Sequence, residues 1–326
     1  MFSYSVANYT MSTPVTVSSP APIAVPVTEA IVRALITLSH EGDYLNLGSS
    51  TSMSFTVKAG AGDDDIYMGA GHDIVYGSFG EDWIFARNGN DLVDAGSEDD
   101  FVSGGNGNDT LLGGSGDDEL QGNNGTNRLN GGYGDDELYG SGINDVMQGG
   151  AGHDYLRFEG SSARMFGGDG NDAFVILSGI VRVEGGAGYD GINFGAGVVA
   201  IGGDGADGYS MWADMGERNG VSHIIGFNPE EGDTFNLFGY TPDQVAIDPR
   251  HSDRLILTDA TGDRDVLVLR GVQIESVDWL NQQDWFSSDM YEQDGKGKVA
   301  SADEFALTTD AFHVDIASAS ADYLFA

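Results

Sequence analysis

From residue 59 to about residue 210 the chain repeats itself every nine residues. The stretch GGNGNDTLLGGSGDDELQG, residues 104–122, shows the unit: G-G-x-G-x-D-x-U-x, where U is a large apolar side chain. In steps of nine, the eighth position reads Ile66, Val75, Ile84, Val93, Val102, Leu111, Leu120, Leu129, Leu138, Met147, Leu156, Met165, Phe174, Val183 and Ile192. No polar residue interrupts that series. A helix buries residues three or four apart and has no use for this period. A short strand does, because x-U-x sends one side chain inward and its neighbours outward. The glycines supply turn conformations closed to other residues. Each unit therefore divides into a six-residue turn and a three-residue strand, and two units make one flattened coil of about eighteen residues. Stacked coils give two parallel sheets around a thin aliphatic core, with a file of turns along each edge.

The sixth position adds charge to each file. One file carries Asp64, Asp82, Asp100, Asp118, Asp136, Asp154, Asp172 and Asp190, followed after a one-residue deletion by Asp207. The other carries Asp73, Asp91, Asp109, Asn127 and Asp145, then Ala163 and Val181. Coils about 4.8 Å apart would hold these carboxylates at close range, and the like charges would repel. Hard cations between the rungs remove the conflict. Calcium suits such a place, since it accepts six to eight oxygen ligands, including backbone carbonyls, whereas magnesium demands tighter geometry and keeps its waters.

The units GGNGNDTLL, GGSGDDELQ, GGYGDDELY and GGAGHDYLR resemble the nonapeptide of the RTX (repeats-in-toxin) family of calcium-binding parallel β-rolls. The resemblance covers roughly residues 59–210. It implies calcium between consecutive turns of one file, held by the sixth-position side chains and by glycine-turn carbonyls. Those glycines are Gly105, Gly107, Gly114, Gly116, Gly132, Gly134, Gly150, Gly152, Gly168, Gly170, Gly186 and Gly188. About a dozen Ca²⁺ ions would offset most of the net charge of −38. Without them, repulsion and glycine entropy keep such a chain unfolded, so folding and metal binding become one event.

Composition narrows the function classes. Acidic residues outnumber basic ones 52 to 14, which disfavours nucleic acid and anionic membranes as partners. No cysteine is present, so disulfides and zinc–thiolate sites are excluded. No apolar run is long enough to span a bilayer. The first thirty residues hold no Lys or Arg, unlike a secretory signal peptide.

The expected organisation is an extended Ser/Thr/Pro-rich arm over 1–27, an N-terminal cap over 28–58, the roll over 59–210, a capping β flank over 211–275 and a polar tail over 276–326. The cap opens with a short helix, EAIVRALITLSH, placing Ile31, Leu35 and Leu38 on one face. The fold class is thus all-β, a parallel β-roll solenoid with a short helical cap and a β-rich C-terminal flank. From residue 158 the second file loses its carboxylates to FEGSSA, ILSGIV and FGAGVV, which points to an edge covered by the segment after residue 208 or, alternatively, to neutral decay of redundant repeats. Outward positions eighteen apart gather Tyr67, Trp83, Phe85 and Phe101 into an interaction patch. The N-terminal arm, a glycan or a second copy are its candidate occupants.

The chain ends Asp322-Tyr323-Leu324-Phe325-Ala326, an acid followed by apolar residues. With the repeats, this resembles the uncleaved signal of type I (ABC-transporter) secretion. Such proteins cross the envelope unfolded and fold on meeting extracellular calcium. Enzymatic motifs are missing: His40-Glu41 starts no H-E-x-x-H, and neither a G-x-S-x-G elbow nor a P-loop occurs. His72 and His153 occupy outward turn positions. The expectation is an exported, non-enzymatic calcium-binding protein that acts by binding or coating at the cell exterior. The alternative is a carbohydrate-interacting module related to a polysaccharide-modifying enzyme.

Overall fold

A computed structural model describes residues 34–48, 53–216, 220–259, 261–278 and 313–317. The expected arm, most of the tail and the five C-terminal residues lie outside the described residues. The chain is built from β-strands, and the one helical element among the described residues is the 3-10 turn Pro242–Gln244. It divides into two units. The first runs to Leu156 and includes Gly160–Ala163; the second comprises Arg157–Glu159 and the chain from Arg164. Each is a parallel β-solenoid.

In the first unit, one sheet stacks Tyr44–Asn46, Asp65–Tyr67, Trp83–Phe85, Phe101–Asn106, Glu119–Asn124 and Glu137–Gly140. The other stacks Ala34–Thr37, Phe55–Ala61, Ile74–Phe79, Leu92–Ser97, Thr110–Ser115, Arg128–Tyr133 and Ile143–Ala151. Neighbouring strands pair in parallel with equivalent residues aligned, as in Leu111↔Leu129 and Leu120↔Leu138. All fifteen eighth-position side chains, across the two units, are at most 1% exposed. Burying each aliphatic chain contributes about 1.5–3 kcal/mol, and this series is the driving force of both cores.

Two expectations need correction. The first is the helix: Ala34–Thr37 is a strand, paired in parallel with Phe55–Lys58. Ile36 is buried while Leu35 and Leu38 are only half-buried, a period of two rather than 3.6. Docking on the next coil satisfies the backbone, as in Leu38 N–H to the Lys58 carbonyl at 2.9 Å, and overrides the local pattern. Residues 28–33 of that expected helix lie outside the described residues. The second is strand length. In the first unit Ile74–Phe79, Leu92–Ser97, Phe101–Asn106, Thr110–Ser115, Glu119–Asn124 and Arg128–Tyr133 run six residues, into the following turn, where Gly96, Gly114, Gly132 and Gly150 stay in ladder register.

In the second unit, Ala173–Ala187 is one continuous strand where a turn was expected. Val181 and Val198 are buried at that edge, whereas Ile180 stands 66% exposed. The segment after residue 208 does serve this edge: the Ser222 hydroxyl accepts from Val198 N–H at 3.3 Å and donates to the Gly195 carbonyl at 3.2 Å. Parallel stacking continues past residue 210. Gly191–Ala196 pairs with Gly208–Gly216 and then Thr234–Phe238, while Val198–Asp204 pairs with Val221–Ile225 and then Arg264–Arg270. Antiparallel strands Val245–Ile247 and Arg254–Thr258 follow on from Arg264–Arg270. A separate antiparallel pair joins Gln273–Asp278 to His313–Ala317.

Candidate metal centre

Each sixth-position side chain reaches back one coil. Asp82 Oδ1 accepts the Asp64 N–H at 2.9 Å, Asp100 Oδ1 that of Asp82 at 2.8 Å, and Asp118 Oδ1 that of Asp100 at 2.9 Å. Asp136 and Asp154 extend this file in the first unit, each at 2.9 Å. The other file repeats it from Asp73, which takes the Phe55 N–H at 2.7 Å, through Asp91, Asp109 and Asn127 to Asp145. In the second unit the same bond links Asp172, Asp190, Asp207 and Asp233. All fourteen expected side chains therefore stand in ladders, and all are buried.

The second carboxylate oxygen is the informative atom. Oδ2 of Asp64, Asp82, Asp91, Asp100, Asp109, Asp118, Asp136 and Asp190 is buried without a hydrogen-bond partner. An unpaired buried anionic oxygen is costly, and native structures rarely keep one without a cation. Oδ2 of Asp82, Asp109, Asp118, Asp136 and Asp190 points into the space that a Cβ on the first glycine of its own turn would fill, whereas the turns of Asp64, Asp91 and Asp100 open with Ala59, Ala86 and Ala95. A methyl group on Gly104 would stand 2.6 Å from Asp109 Oδ2 and 3.1 Å from the carbonyl oxygen of Gly122, one coil on. One on Gly113 would collide with Asp118 Oδ2 and lie 2.8 Å from the Gly131 carbonyl oxygen. In the second unit, one on Gly185 would collide with Asp190 Oδ2 and lie 2.5 Å from the Gly202 carbonyl oxygen. Carboxylate and carbonyl oxygens thus converge on one small cradle in each of these turns, and the donor set is the all-oxygen kind that calcium takes. Among the described residues no three acidic or imidazole side chains cluster, so backbone carbonyls must supply much of the coordination shell.

The RTX calcium-binding nonapeptide repeat matches this chain in four copies, over residues 56–75, 69–102, 85–120 and 121–156. Those coils are RTX calcium-binding repeats. No curated protein matches the chain.

The electrostatics of the RTX turns agree with a cation requirement. Burial pushes the Asp100 and Asp136 carboxyls up to about 8, with neighbouring rungs such as Asp118 raising both further. Asp64, Asp82, Asp91 and Asp118 rise to about 7, and Asp109 to about 6, again chiefly through burial. In the second unit Asp190 rises to about 7 and Asp207 to about 6 for the same reason. Each ionises at neutral pH only at a cost that a nearby cation would remove.

The twelve expected glycines play a different part from the first glycine. All sit at positive φ, for example Gly114 at 122° and Gly116 at 129°. A side chain on Gly114 would strike the Gly96 carbonyl of the preceding coil. They set the turn and its close stacking, while the first glycine leaves room for the aspartate oxygen. Gly113→Ala isolates the second role, because Gly113 is not at positive φ. It is expected to lower the stability of the calcium-loaded protein by about 1–3 kcal/mol in denaturant titrations.

Sequence reasoning missed two things. The fifth position forms its own ladder, pointing the other way: Asp99 accepts the Asp117 N–H and Asp117 that of Asp135, both at 2.8 Å. His72 belongs to it, its Nδ1 accepting the Asn90 N–H at 2.6 Å. Also missed were the end rungs Asp43 and Asp233, which break the eighteen-residue spacing. Both follow a Glu-Gly pair, the one sequence signal they share. The aromatic patch is assembled as expected. Tyr67 and Phe85 stack at 4.8 Å, Trp83 and Phe101 at 5.1 Å, and the Arg87 guanidinium lies 5.5 Å from the Tyr67 ring centre. Trp83 remains 53% exposed among the described residues.

Proposed function

We propose that this calcium-binding RTX-type protein is exported and that its turns act as a folding switch set by extracellular calcium. The observation that carries the reading is the row of buried, unpartnered Oδ2 atoms facing carbonyl-lined cradles. Calcium, when bound, supplies the positive charge and the additional oxygen-ligand bonds that these turns lack. Asp64, Asp82, Asp100, Asp118 and Asp136 in one file, with Asp91 and Asp109 in the other, present the carboxylates. First-position carbonyls, such as those of Ala95, Gly122 and Gly131, complete the cradles of Asp82, Asp109 and Asp118, and the Oδ1 bonds tie every rung to the coil before it. Where calcium is scarce, repulsion between rungs opposes stacking and keeps the chain in a form suited to translocation. RTX proteins are typically secreted, which supports export.

Outside the cell the folded roll would act as a non-catalytic binding or coating protein. The half-exposed Trp83 and its stacked neighbours favour a second reading, a module that contacts extracellular polysaccharide or a cell surface through aromatic faces. Far-UV circular dichroism during a calcium titration, with magnesium as control, tests the folding switch. A cooperative gain of β signal with calcium alone is expected, with a midpoint near the roughly 10⁻⁴–10⁻³ M range of extracellular modules. Full β signal in excess chelator would overturn it.

A further inference from the structure

The second file contains one amide among its carboxylates, and the turn after it has an unusual sequence. We infer that this file carries calcium only as far as Asp109, and that the Asn127 and Asp145 rungs join their coils without metal. The inference rests on the calcium reading above and concerns where the cradles stop.

Asn127 keeps the rung-to-rung bond: its Oδ1 accepts the Asp109 N–H at 2.9 Å. That bond fixes the orientation of the amide and puts Nδ2 where the other rungs have Oδ2. Nδ2 lies 3.4 Å from the Asn123 carbonyl and donates to it. An amide nitrogen is a donor with no lone pair to offer a cation. The surroundings change as well. A methyl group on Gly122 would meet Asn127 Nδ2 at 3.0 Å and the Leu129 Cδ1 at 3.1 Å, whereas one on Gly104 meets two oxygens. The cradle is replaced by a donor and a methyl group.

Asp145 retains its charge but has spent both oxygens. Oδ1 accepts the Asn127 N–H at 2.7 Å, and Oδ2 accepts the Gly142 N–H of its own turn at 2.9 Å. That turn reads GSGIND, with Ser141 at the usual second-glycine place and Asn144 at a φ of 59°. Asp233 closes the same way, its Oδ1 accepting the Asp207 N–H at 2.9 Å, and Asp43 closes its Oδ2. Asp43 Oδ2 accepts the Ser39 N–H and hydroxyl, each at 2.7 Å. Asp233 Oδ2 accepts the Asn228 N–H at 2.7 Å. A carboxylate whose oxygens are both held by chain donors has its charge satisfied without a cation. Asp145 and Asp233 act as terminators, and Asn127 puts the end of the second file one rung earlier than its last aspartate.

The test is crystallographic. Crystals of the full chain grown in calcium, with data collected at a wavelength where calcium scatters anomalously, show each ion separately. Peaks are expected beside Asp91 and Asp109 and none beside Asn127 or Asp145. A peak at either of the last two, with the first file filled, would overturn this inference and leave the calcium reading intact. No peak in either file would overturn both. Asn127→Asp is expected to add one peak and, by elemental analysis, one calcium per chain; an unchanged count would also count against the inference. Should that variant fail to fold, the map of the unsubstituted protein decides the question alone.

Discussion

Stripped of calcium, the protein is expected to lose stability as pH is raised from about 4 to about 8. The sign follows from the direction of the carboxyl shifts. Asp100 and Asp136 stand at about 8, Asp64, Asp82, Asp91, Asp118 and Asp190 at about 7, and Asp109 and Asp207 at about 6, against an ordinary value of 3.8. A carboxyl raised in the folded state binds its proton more tightly there than in the unfolded chain. Its contribution is fully present below the unfolded pKa and disappears as pH rises through the folded one. Each proton held only by the folded form contributes a slope of about −1.4 kcal/mol per pH unit. A few such protons equal the whole stability of an ordinary domain, about 5–15 kcal/mol, within two or three pH units. Saturating calcium reverses the slope, because the ligands must then be ionised and protons compete with the metal. Denaturant midpoints at pH 5, 6, 7 and 8, with and without calcium, check both arms. A flat or rising calcium-free series would show that the rungs are not the strained groups their burial implies.

What the sequence made legible is whatever the nine-residue period controls. The buried eighth positions, the two aspartate files and the stacked aromatics all follow from side chains recurring in register. Failures cluster where the period gives no instruction. Asp43 lies 21 residues before Asp64, and Asp233 lies 26 residues after Asp207, so neither falls on a count of eighteen. The segment at 34–37 carries a short local pattern compatible with a helix, and the free backbone edge of Phe55–Lys58 decided it otherwise. The fifth-position ladder was hidden for a different reason. Composition places Asp, Asn and His there, but only coordinates reveal that they accept from the coil ahead while the sixth position accepts from the coil behind.

Asp118→Asn is expected to have opposite effects with and without calcium. The chain already contains the precedent in Asn127, whose amide keeps the backbone bond at 2.9 Å within a ladder of the same kind. In Asp118→Asn, Oδ1 should likewise still accept the Asp100 N–H, so the coil-to-coil link survives. What changes is the atom facing Gly113 and the Gly131 carbonyl, from an unpartnered anionic oxygen to a neutral donor able to bond that carbonyl. Without calcium, at pH 8, the substitution removes a buried unsatisfied charge and should stabilise the fold by about 1–3 kcal/mol. With calcium, it removes a carboxylate ligand and leaves the opposing charge underpaired, which costs about 3–5 kcal/mol by analogy with breaking a buried ion pair. The calcium midpoint for folding should therefore shift upward, while the pH at which the calcium-free protein loses its β signal also rises. A cavity or packing defect would raise the calcium midpoint but lower the metal-free stability, and a rung with no metal to hold would not raise the calcium midpoint. Only a cation ligand moves the two in this combination, so the sign of each shift identifies what Asp118 does.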